Sequence, residues 1–271
     1  MEFIDSFLLG LIQGLTEFLP ISSSGHLVLG RAFLSSELSK GITFEVVVHF
    51  GTLCSIVVYY REELLGIIRS LFRLAKSPGK FKEHLEVDPN IKLSGYILLS
   101  MIPAVIVGFT MQDYIEDVFL NPFMVSIMLL VTGSLLFATR FRDQFPNHIG
   151  AGNSFGIGLA QAFAILPGIS RSGSTISLGL YLGVKREELA NFSFLMVIPV
   201  IAGAMAMQIK EMMEMGIQFE AVLDLTIGFF TAFISGYFAL KYLIVMLKTK
   251  GIHPFAYYCW VVGGLGLLYF W

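Results

Sequence analysis

The chain has 271 residues, of which 55% are hydrophobic and 14% charged, and its formal net charge is −2. Its mean hydropathy is +0.75. A soluble domain carries roughly 25% charged residues, so the composition excludes an ordinary soluble enzyme and points to an integral membrane protein. The near-neutral balance leaves no basic footprint for nucleic acid, and no such partner is expected. Cys54 and Cys259 both lie inside apolar segments and make no disulfide framework. The first residues carry no basic stretch ahead of the apolar run, so a cleaved signal peptide is not expected.

In chain order, the first hydrophobic region covers about 3–34 and is broken in its middle by a turn rich in Pro, Ser and Gly. Unbroken apolar stretches follow at about 42–60, 93–110 and 121–139. A second broken region occupies about 154–184, and three further stretches run at 190–208, 222–247 and 254–271. Each unbroken stretch is near the ~20 residues that cross a bilayer as a helix. The halves of the broken regions, at roughly 12–17 residues, are short for that. Non-helical backbone at membrane depth is tolerated only where protein or a water-filled cavity satisfies it. Both regions therefore read as re-entrant helix–turn–helix hairpins rather than as pairs of ordinary spans. The Lys-rich stretch within 61–92 reads as a solvated linker. The expected fold is an all-α polytopic membrane protein, one domain over 1–271. It would have about six transmembrane helices plus two hairpins, with repeats at about 1–139 and 150–271.

Orientation follows from Lys and Arg in short loops. Segment 61–92 carries Arg61, Arg69, Arg73, Lys76, Lys80, Lys82 and Lys92, and Arg140, Arg142, Lys185, Arg186, Lys248 and Lys250 mark further basic ends. Segment 111–120 has Asp113, Glu116 and Asp117 but no Lys or Arg, and 209–221 has only Lys210. With the basic loops in the cytoplasm, the first hairpin opens outward and the second inward, as an inverted-topology repeat requires. Ala104-x-x-x-Gly108 and Ala232-x-x-x-Gly236 are a weaker echo of the same repeat.

The two turns are themselves related. The first reads Gln13-x-x-x-Glu17-Phe-Leu-Pro20-Ile-Ser22-Ser23-Ser24-Gly25-His26, and the second contains Gln161 and then Pro167-Gly168-Ile-Ser170-Arg171-Ser172-Gly173-Ser174-Thr175. Gln13, Ser22, Ser24 and Gly25 align without a gap with Gln161, Ser170, Ser172 and Gly173, 148 positions later. Ionisable side chains inside apolar segments are costly and mark functional sites. Gln13 and Glu17 share one helix face, where an amide oxygen and a carboxylate can hold Mg²⁺ or Ca²⁺ against substrate phosphates. Ser22, Ser23 and Ser24, beside a helix start, can cradle an anion, although one of them is expected to serve as N-cap. His26 can act as base, proton shuttle or nucleophile. Arg171 requires either an anionic ligand, for which its planar fork suits phosphate, or a salt bridge to Glu17. Ser170, Ser172, Ser174 and Thr175 would add hydroxyls to the same oxyanion. Together these groups describe metal-assisted phosphoryl transfer.

At these residues the chain resembles the undecaprenyl-diphosphate phosphatases of the bacitracin-resistance protein family. Gln13-x-x-x-Glu17 is similar to the family's (Glu/Gln)-x-x-x-Glu, and Ser22–His26 to its serine-rich Ser-Gly-His turn. Residues 167–175 match its Pro-Gly-x-Ser-Arg-Ser-x-x-Thr at every fixed position. The resemblance implies hydrolysis of a C55 lipid diphosphate to the monophosphate, recycling the carrier for cell-wall synthesis. It also implies a divalent cation, an inverted-repeat fold, and an active site facing the outer side of the plasma membrane. The expected partners are the polyprenyl diphosphate and bilayer lipid, with a homodimer left open. Gln13 departs from members with Glu there, which removes one formal charge from the metal face.

The expected mechanism is in-line attack on the terminal phosphorus by Ser23 or by His26, with Ser23 activated by His26 preferred. Gln13 and Glu17 would hold the cation, and Arg171 would stabilise the transferred phosphoryl group. The rival reading is a lipid-phosphate transporter, which would use the same half-helix anion site without chemistry.

Overall fold

The computed structural model of the chain describes residues 2–34, 42–77, 79, 81–142, 145–215 and 222–271. Among the described residues the regular structure is helical, apart from a single parallel bridge between Asn147 and Val184. The first broken region forms α1 (Glu2–Phe18) and α2 (Ser23–Leu34). It is followed by α3 (Ile42–Tyr59), α4 (Arg61–Lys76), α5 (Phe81–Val87), α6 (Pro89–Thr110), α7 (Gln112–Phe119) and α8 (Pro122–Ala138). The second broken region forms α9 (Ala151–Phe163) and α10 (Arg171–Tyr181). The chain then runs through α11 (Arg186–Leu195), α12 (Val197–Met215), α13 (Val222–Thr249) and α14 (Phe255–Phe270).

Local sequence sets where the long helices begin. The Asp88 side chain accepts the Asn90 N–H at 3.0 Å ahead of Pro89, and Asn121 accepts the Met124 N–H at 3.2 Å ahead of Pro122. Asp and Asn are strong N-caps, and Pro suits the first helical position because its missing N–H would be unpaired there.

Among the described residues, four helical stretches are long and apolar enough to cross a membrane: Pro89–Thr110, Pro122–Phe141, Arg186–Met207 and Val222–Thr249. A fifth is obtained if α3 and α4, bent by 78° from each other, count as one span. The expected six unbroken spans are therefore not all found by length and composition. α14 is apolar but has 16 residues, and α3 hands over at Tyr60 to a helix of different character. α4 sets Leu65, Ile68 and Phe72, spaced along one exposed face, beside Arg69 and Arg73, the pattern of an interfacial helix. The stretch read as a solvated linker thus contains two helices, α4 and α5.

The polarity is turned inside out relative to a soluble protein. Gln13, Glu17, Gln161, Ser170 and Ser172 are buried, whereas Leu98, Phe109, Phe238 and Leu268 are exposed, as expected of a surface solvated by lipid tails. α1 packs on α13, α9 packs on α6, and α8 packs on α14. Glycines set the closest of these approaches. A Cβ on Gly10 would lie 2.7 Å from the Gly228 carbonyl oxygen, and one on Gly158 would strike the backbone of Ser100. Gly10 and Gly158 are 148 positions apart, like the two turns. Ser100 and Gly228 are 128 apart, like Ala104 and Ala232. Small residues let backbones meet where apolar burial gives helices no reason to associate.

Replacing Gly10 by Ala is expected to destabilise the detergent-solubilised protein by about 1–3 kcal/mol through overpacking. Gly264→Ala, where an added Cβ meets nothing within 4 Å, should leave the melting temperature unchanged. Thermal unfolding of the two variants checks both.

Candidate active site

The site is built where the two interrupted helices turn. α1 ends at Phe18. Pro20 follows, and Ser22 adopts a left-handed backbone with φ of 70°, the one non-glycine to do so among the described residues. Such a conformation costs on the order of 1–3 kcal/mol and persists where surroundings enforce it. In the second turn Gly168 takes the left-handed role at φ 91°, and Ser170 caps α10. The polar wiring is nonetheless the same in both. Ser22 Oγ accepts the Gly25 N–H at 3.2 Å and lies 3.3 Å from Ser24 Oγ. Ser170 Oγ accepts the Gly173 N–H at 3.0 Å and lies 3.3 Å from Ser172 Oγ.

The turns meet through Glu17. Its Oε1 accepts from Arg171 Nη2 at 2.9 Å, and its Oε2 accepts from Ser23 Oγ at 2.6 Å and from Gln13 Nε2 at 3.0 Å. The Glu17 and Arg171 side chains are 7% and 16% exposed. Arg171 opens α10, where the helix dipole is positive and a cation is disfavoured, so an anion opposite it is required. Its second nitrogen, Nη1, is buried with no hydrogen-bond partner. Of the two options open for Arg171, the structure makes the salt bridge and keeps one guanidinium edge uncommitted.

A cavity of about 560 Å³ opens beside this pair. Glu17, Ser22, Ser23, Ser24, Ser170 and Arg171 form its polar end, and Met101, Val105, Phe109, Val200 and Met205 wall its apolar arm. The expected residues divide here. Ser172, Ser174 and Thr175 are buried outside the lining. Ser172 Oγ donates to the Leu19 carbonyl at 3.3 Å and Thr175 Oγ1 lies 2.6 Å from Ser193 Oγ, so both brace the fold around the turn. Gly25 is where the turns touch, since a Cβ there would sit 3.1 Å from Gly168 Cα.

His26 is not brought to Ser23. Its Nδ1 is 2.7 Å from the Ser22 carbonyl and its Nε2 is 2.9 Å from the Tyr258 hydroxyl. The two rings stack at 5.5 Å and 10°. Held this way, the imidazole borders a separate cavity of about 450 Å³ with Leu15, Tyr242 and Phe255. The acceptor within reach of Ser23 is Glu17.

Several residues that the sequence did not single out complete the site. His49 lines the cavity, its Nδ1 2.8 Å from the Glu45 carbonyl. Thr132, in the apolar run of α8, donates to the Gly168 carbonyl at 2.8 Å and accepts the Ser170 N–H at 3.0 Å. Cys259 of α14 does the corresponding service for the first turn, its Sγ 3.9 Å from the Pro20 carbonyl. The last helix of each half thus holds the turn of the other half.

For a cation, the donor set is small. Among the described residues no cluster of three His, Cys, Asp or Glu side chains forms. Gln13 Oε1, however, is buried without a partner beside the Glu17 carboxylate. One carboxylate and one amide oxygen fit a hard cation that takes its other ligands from substrate phosphates and water, as Mg²⁺ commonly does.

A family model described as bacitracin resistance protein BacA matches residues 6–265. The chain belongs to the BacA family. It is 39% identical to the undecaprenyl-diphosphatase of Desulforapulum autotrophicum, over 99% of this chain and 98% of that one. It is 42% identical to that of Bacteroides thetaiotaomicron, with 97% of each chain covered. It is 37% identical to the undecaprenyl-diphosphatase of Methanobrevibacter smithii, over 97% of this chain and 96% of that one.

Thr132→Val removes one hydroxyl and leaves both the Gly168 carbonyl and the Ser170 N–H unpaired. With about 1–3 kcal/mol for each buried group left unmet, a clear loss of thermal stability is expected, and a scanning calorimetry or thermofluor trace of the purified variant reads it.

Proposed function

We propose that the protein hydrolyses undecaprenyl diphosphate to undecaprenyl phosphate and inorganic phosphate in the bacterial plasma membrane, the activity for which its relatives are named. One observation carries this reading: a hydroxyl, a carboxylate and a guanidinium from two separate turns meet at the polar end of an otherwise apolar cavity. That is what a phosphoanhydride on an isoprenyl chain requires.

Ser23 Oγ would attack the terminal phosphorus in line, passing its proton to Glu17 Oε2. The bond to the bridging oxygen breaks and undecaprenyl phosphate departs. Glu17 hands that proton to the departing phosphate; water then attacks the phosphoserine, Glu17 taking its proton and returning it to Ser23 Oγ as inorganic phosphate leaves. Arg171 would move its guanidinium from Glu17 to the phosphoryl oxygens as charge develops there, which leaves the carboxylate to accept the Ser23 proton. His26 would act at a distance, holding the Ser22 carbonyl and so the strained turn. Gln13 and Glu17 would hold Mg²⁺ or Ca²⁺, which supplies charge neutralisation of the diphosphate.

The architecture we infer is an inverted repeat of about 1–139 and 150–271, with α1–α2 and α9–α10 as re-entrant hairpins. Support comes from the offsets of 148 and 128 at two close helix contacts, from the matched serine wiring, and from the crossed bonds of Thr132 and Cys259. The Lys and Arg distribution favours a site open to the outer face.

Purified protein in detergent should release phosphate from undecaprenyl diphosphate, and Ser23→Ala and Arg171→Ala should each lower the rate by about 10²-fold or more. Arg171→Lys, which keeps the charge but loses the fork, should be nearly as damaging. No release from folded wild-type protein under any divalent cation would overturn the reading in favour of transport. Chelation should suppress release, and Gln13→Leu should raise the Mg²⁺ concentration needed for half-maximal rate; a rate indifferent to chelator would remove the cation from the scheme.

A further inference from the structure

Gln161 is a polar side chain of the cavity that the chemistry above leaves unused. It is 2% exposed and lines the same space as Glu17, Ser23 and Arg171. Neither its Oε1 nor its Nε2 has a hydrogen-bond partner. Burying an amide unpaired is costly, and native proteins do so rarely and with reason.

Comparison with its counterpart in the first half shows how this arises. Gln13 directs its Nε2 to Glu17, four residues on and on the same helix face. Four residues on from Gln161 stands Ile165, itself part of the cavity wall, so the helix offers no acceptor. Arg171 Nη1 is unpartnered as well. Two buried N–H donors thus border the cavity from the second half, with no carboxylate of that half beside them in the lining. Gln161 also stands on α9, which packs on α6, and α6 contributes Met101, Ala104 and Val105 to the apolar wall. Ser23 and Glu17 belong to the opposite turn.

We propose that Gln161 is a substrate-binding residue whose Nε2 donates to the phosphate bearing the lipid chain. This rests on the phosphatase reading and adds selectivity to it. A diphosphate engages both ends of the polar site. Inorganic phosphate engages only the end that Ser23 and Arg171 serve.

The test measures KM and kcat for undecaprenyl diphosphate, and competition by inorganic diphosphate and inorganic phosphate, for wild type, Gln161→Leu and Gln161→Glu. Gln161→Leu should raise KM about tenfold with kcat within about twofold, the signature of a lost binding contact. Inorganic diphosphate should compete about tenfold less well, and inorganic phosphate as before. Gln161→Glu keeps the shape while replacing the donor with a negative charge, so its KM should rise further. It also serves as the reporter should Gln161→Leu fail to fold. An unchanged KM in the folded variants, or a fall in kcat with KM and both inhibitors unchanged, overturns the assignment. Wild type that releases no phosphate would instead sink the phosphatase reading itself, so the two failures are told apart in one experiment.

Discussion

The ion pair between Glu17 and Arg171 is the constraint on which the rest of the site depends. Each charge alone, in apolar surroundings, would carry a desolvation penalty of several kcal/mol or more. Each half of the chain supplies the other's partner, because the two residues lie 154 positions apart. Their meeting therefore fixes the distance between the two turns. It also sets the direction of the Ser23 hydroxyl, which donates to the carboxylate oxygen that Arg171 leaves open. A buried pair of this kind is a poor source of net stability. An incoming phosphate could take the carboxylate's place opposite the guanidinium, so that the cation would keep an anionic partner through the exchange.

Around the pair, two turns with nearly the same hydrogen bonds carry different chemistry. Ser22 and Ser170 each cap a helix through the glycine three residues on, and each touches the serine two residues on. The residue between those serines differs, being Ser23 in one turn and Arg171 in the other. The common wiring positions whatever side chain occupies that slot at a helix N-terminus facing the other turn. A hydroxyl in one slot and a guanidinium in the other make a pair of unlike groups from like scaffolds.

Much of this was legible in the sequence, and the reasons for the remainder are physical. The broken segments announce themselves because Pro, Gly and clustered Ser cannot continue an apolar helix, and the ionisable residues at those breaks are conspicuous against 55% hydrophobic composition. Partners are harder to read. His26 lies three residues from Ser23 along the chain, but a backbone contact to Ser22 and stacking on Tyr258 hold its ring towards α14, and Tyr258 is 232 residues away. Thr132 and His49 sit in apolar runs, where one hydroxyl among several, or one imidazole, carries no periodic signal. Length and composition do not return all six expected spans for a related reason. Hydropathy marks α3 and α14 as apolar, but it registers neither the 78° bend at Tyr60 nor the shortness of a 16-residue helix.

The crossed attachment of the turns has a consequence for how the molecule comes into being. The Pro20 carbonyl meets its partner on Cys259, in the last helix of the chain, whereas the Gly168 carbonyl meets Thr132, synthesised before it. As the polypeptide emerges, the second turn finds its anchor already in place. The first turn, which carries the proposed nucleophile, has to wait for almost the whole chain. Until α14 is inserted, Glu17 and Ser23 belong to an unfinished structure, so the reactive half of the site is completed last.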